Sequence, residues 1–195
     1  MKKMKVLVIY AHFNPKSFNH AILEAFTEGL NDGGHTYDVV DLYATNFDPC
    51  TKPQDLAQFS GDQMPRDVLE QQEKVTNADG LVFIFPRYDW TYPAILKGWI
   101  QRVFSYGYAY RMSENGIEGL LHPNKALLIS TTNAPQEFYE KSGLDDAYKK
   151  ISNTSLRDYS GIADVNHVTF YSLSLIDDEG RKKYLENTYQ LGKAF

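Results

Sequence analysis

Only one cysteine, Cys50, occurs in the 195 residues, so no intrachain disulfide can form. No Cys/His group has the spacing of a zinc site, and no metal is expected. Basic residues are outnumbered, with Lys+Arg 20 against Asp+Glu 25 and a net charge of -5. That balance argues against a nucleic-acid partner, which requires a basic face that displaces counterions. Apolar runs are short. None approaches the roughly 20 residues of a membrane span. The run Val6 to Ala11 follows Lys2, Lys3 and Lys5 but stops at His12, too soon for a signal-peptide core. GxGxxG, GxxxxGK[ST] and GxSxG are all missing, which excludes a standard dinucleotide fingerprint, a Walker loop and a serine-hydrolase elbow. The first apolar run ends in Tyr10-Ala11-His12 rather than paired acids, against a receiver domain. A cytoplasmic protein without membrane insertion is expected.

A core is nevertheless well supplied, at 43% hydrophobic and 14% aromatic residues, including Tyr 14 and Phe 11. The length suits a single domain over residues 1–195. Short apolar runs alternate with longer amphipathic stretches, the pattern of βαβ units around a parallel sheet. Strands are predicted at 5–10, 37–42, 80–85, 125–130 and 168–175. Helices are predicted near 19–30, 67–78, 93–106, 143–159 and 178–195. Residues 46–64, with Pro49 and Pro53, read as a surface excursion. Five strands with intervening helices fit an α/β, doubly wound sheet of order 2-1-3-4-5. The helix at 93–106 carries a double apolar stripe with Ile95, Trp99 and Val103 beside Leu96, Ile100 and Phe104, so it is expected to bury a second surface in a homodimer.

Ligands of such sheets bind beyond the carboxyl ends of the strands, where the order reverses. Three loops should meet there. The first places Ser17 and Asn19 at a helix N-terminus, where free N–H groups and the macrodipole attract an anion; simple capping is the alternative. The second, Pro86-Arg87-Tyr88-Asp89-Trp90-Thr91-Tyr92-Pro93, offers rings as a wall for a flat ligand, or else a lid on the core or an oligomer contact. The third, Ser130-Thr131-Thr132-Asn133-Ala134-Pro135, groups hydroxyls, an amide and backbone donors suited to a heterocycle edge, or is an ordinary polar loop. A phosphate pocket, a stacking wall and an edge of donors are together what a flavin nucleotide needs.

These residues carry a resemblance. His12 with Ser17-Phe18-Asn19, Asp41-Leu42-Tyr43-Ala44, Asn46-Phe47-Asp48-Pro49, Phe85-Pro86, Pro93-Ala94-Ile95-Leu96-Lys97-Gly98-Trp99, Thr131-Thr132 and Tyr139 make residues 5–145 similar to the DT-diaphorase-type NAD(P)H:quinone oxidoreductases. That family has a flavodoxin-like fold and carries a flavin. The resemblance implies that His12, Ser17, Phe18 and Asn19 hold the phosphate side of the cofactor. Pro86, Arg87, Tyr88, Asp89, Trp90, Thr131 and Thr132 are implied to line the isoalloxazine. Asn133 and Ala134 stand where DT-diaphorases carry two glycines and complete the cofactor-binding set. The Asn-Ala-Pro run looks more like the bacterial quinone reductases called modulators of drug activity. Tyr139 corresponds to a tyrosine that assists hydride transfer and is the implied catalytic residue.

The activity implied is two-electron, ping-pong reduction of quinones or similar acceptors by NAD(P)H. FAD is the expected flavin, on the strength of residues 41–49, with FMN the alternative. A flavodoxin-like electron carrier and an accessory subunit regulating an ion-efflux transporter are the rival readings. Asp145 stands where the family has a catalytic histidine, and is read as a solvated residue at a helix start.

Overall fold

The computed structural model describes residues 3–195. Its central sheet is parallel, five-stranded and ordered β2-β1-β3-β6-β7. The strands are β1 (Lys5–Tyr10), β2 (Thr36–Asp41), β3 (Gly80–Pro86), β6 (Lys125–Thr131) and β7 (Asp164–Phe170). In order of appearance these are strands one to five, so the expected 2-1-3-4-5 sheet is present. Side chains alternate across the pleat and build two cores. Leu7, Ile9, Leu81, Phe83, Phe85, Ala126 and Leu128 face one way. Val6, Val8, Tyr10, Val82, Ile84, Leu127 and Ile129 face the other. Central β3 is buried along its whole length, as its unbroken apolar sequence requires.

Helices α1 (Phe18–Asp32) and α7 (Asp178–Lys193) cover the second face. They cross at backbone contact, since a Cβ on Gly29 would lie 2.1 Å from the Tyr189 carbonyl oxygen. The opposite face is covered by α3 (Arg66–Thr76), α4 (Ala94–Val103) and α6 (Leu144–Asn153). Among the described residues no helix is long and apolar enough to cross a membrane.

Several boundaries differ from expectation. The fifth strand runs over Asp164–Phe170, where 168–175 was expected. It is an edge strand, so Asp164, Asn166 and His167 are tolerated within it and the apolar pattern begins late. Residues 171–175 instead turn back, with Ser172 at φ 58 and the Leu173 N–H bonded to the Thr132 carbonyl at 3.1 Å. The expected helix at 143–159 is present as α6, which begins at Leu144, but a short helix ahead of it, α5 (Gln136–Ser142), was not expected; Gly143 at φ 70 separates the two. A π-turn over Thr154–Tyr159 follows α6. The hairpin of β4 (Tyr110–Ser113) and β5 (Gly116–Gly119) carried no periodic signal, because its strands are four residues each and largely exposed.

The excursion at 46–64 contains a 3-10 turn (Pro53–Leu56) and α2 (Ala57–Ser60). It lies at the surface yet is pinned to α4. A Cβ on Gly98 would sit 2.3 Å from the Pro49 carbonyl oxygen. Arg102 of α4, its side chain wholly buried, donates to Asp55 Oδ2 at 2.9 Å, Asp67 Oδ2 at 2.7 Å and the Asp48 carbonyl at 2.8 Å. The second surface of α4 is thus covered from within the chain, and its double stripe has no exposed excess for a second subunit to cover.

Candidate active site

Loops after β1, β3 and β6 converge because these three strands are neighbours. Between them lies a cavity of about 390 Å³ bordered by His12, Asn19, Pro86, Arg87, Tyr88, Asp89, Trp90, Thr131, Thr132, Asn133, Ala134, Tyr139 and Leu173. Ser17 and Phe18 are not on its wall. Ser17 caps α1, its Oγ accepting from the His20 N–H at 3.2 Å, and Phe18 packs into the core beneath.

Asn19, in the first turn of α1, is buried, and its Nδ2 donates to Thr131 Oγ1 at 2.9 Å. Its Oδ1 finds no partner among the described residues. A buried amide oxygen left open costs free energy unless a ligand or water satisfies it, so the cavity wall is suited to a group with a donor edge. The first N–H groups of α1 lack intrahelical acceptors and point to the same end. His12 Nδ1 accepts from the Asn14 N–H at 3.0 Å. Burial keeps this imidazole below its ordinary pKa, against the opposing effect of the Asn14 contact. It is therefore neutral at pH 7 with its proton on Nε2, a further donor at the cavity edge.

The loop after β3 makes a tight turn, closed by Thr91 N–H to the Tyr88 carbonyl at 3.0 Å. Asp89 and Trp90 both adopt left-handed backbone, at φ 46 and 64. Such conformations cost about 1–3 kcal/mol each for side-chain-bearing residues and cluster at ligand sites. Here the strain presents rings: Tyr88 is 44% exposed and Trp90 48%.

On the opposite wall Tyr139, from α5, is buried, and its hydroxyl pairs with Thr132 Oγ1 at 2.8 Å. Thr132 Oγ1 also accepts from the Ala134 N–H at 3.3 Å. Whichever hydroxyl donates within the pair, one O–H remains available to a ligand.

Arg87 borders the cavity, but its guanidinium turns inward and is wholly buried. Nη1 reaches Asp145 Oδ1 at 2.6 Å, Nε reaches Ser130 Oγ at 3.1 Å and Nη2 reaches Thr169 Oγ1 at 2.6 Å. The guanidinium therefore anchors the wall from behind, so Arg87 lines the cavity as expected but its charged group, closed off from solvent, does not face a ligand. Asp145 is buried rather than solvated, and its Oδ2 accepts from the Tyr171 hydroxyl. Burial, and then the Asp145 carboxylate, push that hydroxyl up to about 12. An arginine at the end of an all-apolar strand needs a carboxylate, and that requirement was the available signal for Asp145.

Leu173 and Arg181 also escaped sequence reading. Leu173 reaches the cavity because the chain turns back after β7. Arg181, half-buried on α7, donates to the Leu173 carbonyl at 2.9 Å, with Cζ 5.8 Å from the Phe18 ring centroid. It has no carboxylate partner among the described residues, so a cation lies uncompensated near the N-terminus of α1. Among the described residues no cluster of His, Cys, Asp and Glu can hold a metal ion.

Comparison with known proteins bears on the fold and the family. The family described as flavodoxin-like fold matches residues 4–191. A ribosyldihydronicotinamide dehydrogenase [quinone] of Rattus norvegicus is 35% identical over 166 residues, covering 76% of this chain and 72% of that protein. An uncharacterized NAD(P)H oxidoreductase of Haemophilus influenzae is 30% identical over 192 residues, covering 98% and 95%. The structure of an NAD(P)H:quinone oxidoreductase from Methanothermobacter marburgensis superposes with a TM-score of 0.89 at 33% identity, covering 98% and 96%. The chain belongs to the flavodoxin-like fold family, among relatives named NAD(P)H:quinone oxidoreductases.

Proposed function

We propose that this protein is a flavin-dependent NAD(P)H oxidoreductase that reduces quinones or similar flat acceptors by two electrons. What carries the reading is the cavity at the strand ends, where the unpartnered Asn19 Oδ1, the α1 N-terminus and two exposed rings face the Tyr139–Thr132 hydroxyl pair. The names of the relatives point the same way. A bound flavin would supply the redox chemistry of hydride transfer between nicotinamide and acceptor.

The protein's part is binding, orientation and charge. The α1 N–H groups, His12 Nε2 and Arg181 receive the phosphate side. Tyr88 and Trp90 form a ring wall, and Asn19 fixes Thr131 so that the loop from Thr131 to Ala134 presents its donors to the heterocycle. The free O–H of the Tyr139–Thr132 pair donates where negative charge develops, which stabilises it in a partly water-excluded site. FAD is favoured over FMN because Arg181 adds a cation to the neutral donors beside the helix terminus, suited to a diphosphate. A homodimer belongs to the same proposal, and it rests on the exposed Leu56 and Phe59, at 58% and 65%.

The test is consumption of NADH and NADPH by the purified protein with a soluble quinone. Turnover without any added protein, with parallel double-reciprocal lines, supports the enzyme. Turnover that appears only with a protein partner favours an electron carrier or an accessory subunit.

A further inference from the structure

Arg87 is a permanent cation held directly behind the cavity wall. Its side chain is inaccessible to solvent, and its Cζ lies 5.2 Å from the ring centroid of Tyr139, which borders the cavity. The guanidinium also lies over a second ring, that of Tyr148, with Cζ 4.0 Å from its centroid. Among the described residues the one carboxylate paired with this charge is Asp145, at the position where the family resemblance would put a histidine. Buried charges are screened far less by salt than exposed ones, so the balance of this pair is felt across the wall.

We propose that Asp145 sets the reduction potential of the flavin by cancelling the charge of Arg87 behind the wall formed by Thr131 and Tyr139. The inference rests on the flavin reading above. A flavin that takes two electrons and one proton gains negative charge on its pyrimidine edge. An uncompensated cation behind the wall favours that reduced form and raises the potential; a carboxylate beside the cation offsets it. Tyr171 then acts as a trimming residue. Its hydroxyl donates to Asp145 Oδ2 and draws carboxylate charge away from Arg87 toward the β7 side. With its pKa near 12, that hydroxyl remains a donor throughout the neutral range.

Two substitutions with opposite expected signs test this in the flavin-loaded protein, read as midpoint potential by equilibration with a redox dye. Asp145→Asn keeps the shape and removes the negative charge. The preference for reduced over oxidised flavin should rise about tenfold, which is about 30 mV upward for a two-electron couple. Tyr171→Phe keeps the ion pair but removes the donor from Oδ2, and the preference should fall about threefold. Loss of packing alone does not produce shifts of opposite sign. A potential unchanged or lowered in Asp145→Asn overturns the inference while leaving flavin binding intact. Should Asp145→Asn not fold, a potential unchanged or raised in Tyr171→Phe overturns it equally. A wild-type protein that binds no flavin overturns both this inference and the reading beneath it.

Discussion

Trp90 is where stability and ligand binding pull in opposite directions. At φ 64 its backbone is strained, and half of its ring is in solvent, so its contribution to the fold is small. Trp90→Gly should leave the thermal stability of the flavin-free protein unchanged or raise it by up to about 1 kcal/mol. Flavin affinity should fall about tenfold through loss of a stacking ring. Calorimetry and fluorescence titration check the two halves, and a destabilised variant with wild-type affinity contradicts the assignment. His167 gives a pH dependence. Burial first, and then Lys149, Arg87 and Arg157, lower its pKa from 6.5 to about 4. Between those values the unfolded chain binds the proton and the folded one does not, so stability falls as pH drops from about 6.5 toward 4. Discounted for partial solvent access, the loss between pH 7 and 5 is about 1 kcal/mol. His167→Gln should remove that part of the slope in urea unfolding at the two pH values. At this scale the sequence was a fair guide to side chains that face the cavity and a poor one to those that face inward. Asn19, Tyr88, Trp90, Thr131 and Thr132 follow from loop composition and position. The burial of Asp145 depends on Arg87 turning away from the cavity, which no local pattern encodes.

Among the elements, α4 shows how a helix can look overly apolar and still be satisfied within its own chain. Its stripe of Leu96, Trp99, Ile100 and Val103 is buried, and Arg102 on its far side clamps the excursion at 46–64. Burial alone pushes the Asp55 carboxyl up, but Arg102 and the Lys52 N–H outweigh it and hold it below the ordinary carboxylate range. Breaking a buried pair leaves one charge uncompensated, typically at about 3 kcal/mol or more. Asp55→Ala should therefore destabilise the protein by about 3 kcal/mol in denaturant unfolding and open residues 46–64 to limited proteolysis. Unchanged stability with an intact excursion contradicts the clamp. Elements with a buried face were legible from periodicity: β1, α1, β3 and β6 fall within a residue or two of expectation. Those without one were not. The β4–β5 hairpin is mostly exposed, β7 is an edge strand with polar residues at its start, and α5 is a seven-residue helix with Tyr139 as its one buried residue.

Over the whole molecule, strand order does the work of assembly. Because β1, β3 and β6 are adjacent, loops some 70 and 110 residues apart in sequence line one cavity. The order was legible because alternating strands and helices leave few right-handed windings. The contribution of the segment after β7 was not, since it depends on where that strand ends. The proposed homodimer makes its own prediction: light scattering at micromolar concentration should give the mass of two chains, and Phe59→Glu should shift it toward one. A monomer in the unmodified protein contradicts the dimer without touching the fold. The central claim is that the cavity at the strand ends binds a flavin, and titration of the flavin-free protein with FAD and FMN, followed by flavin fluorescence, tests it most directly. The account predicts saturation at one flavin per chain, with FAD the tighter ligand, and at least tenfold weaker binding in Asn19→Asp, whose carboxylate would stand in the first turn of α1 and repel the flavin phosphate. Failure of the wild-type protein to bind either flavin, or equal binding by Asn19→Asp, would contradict it.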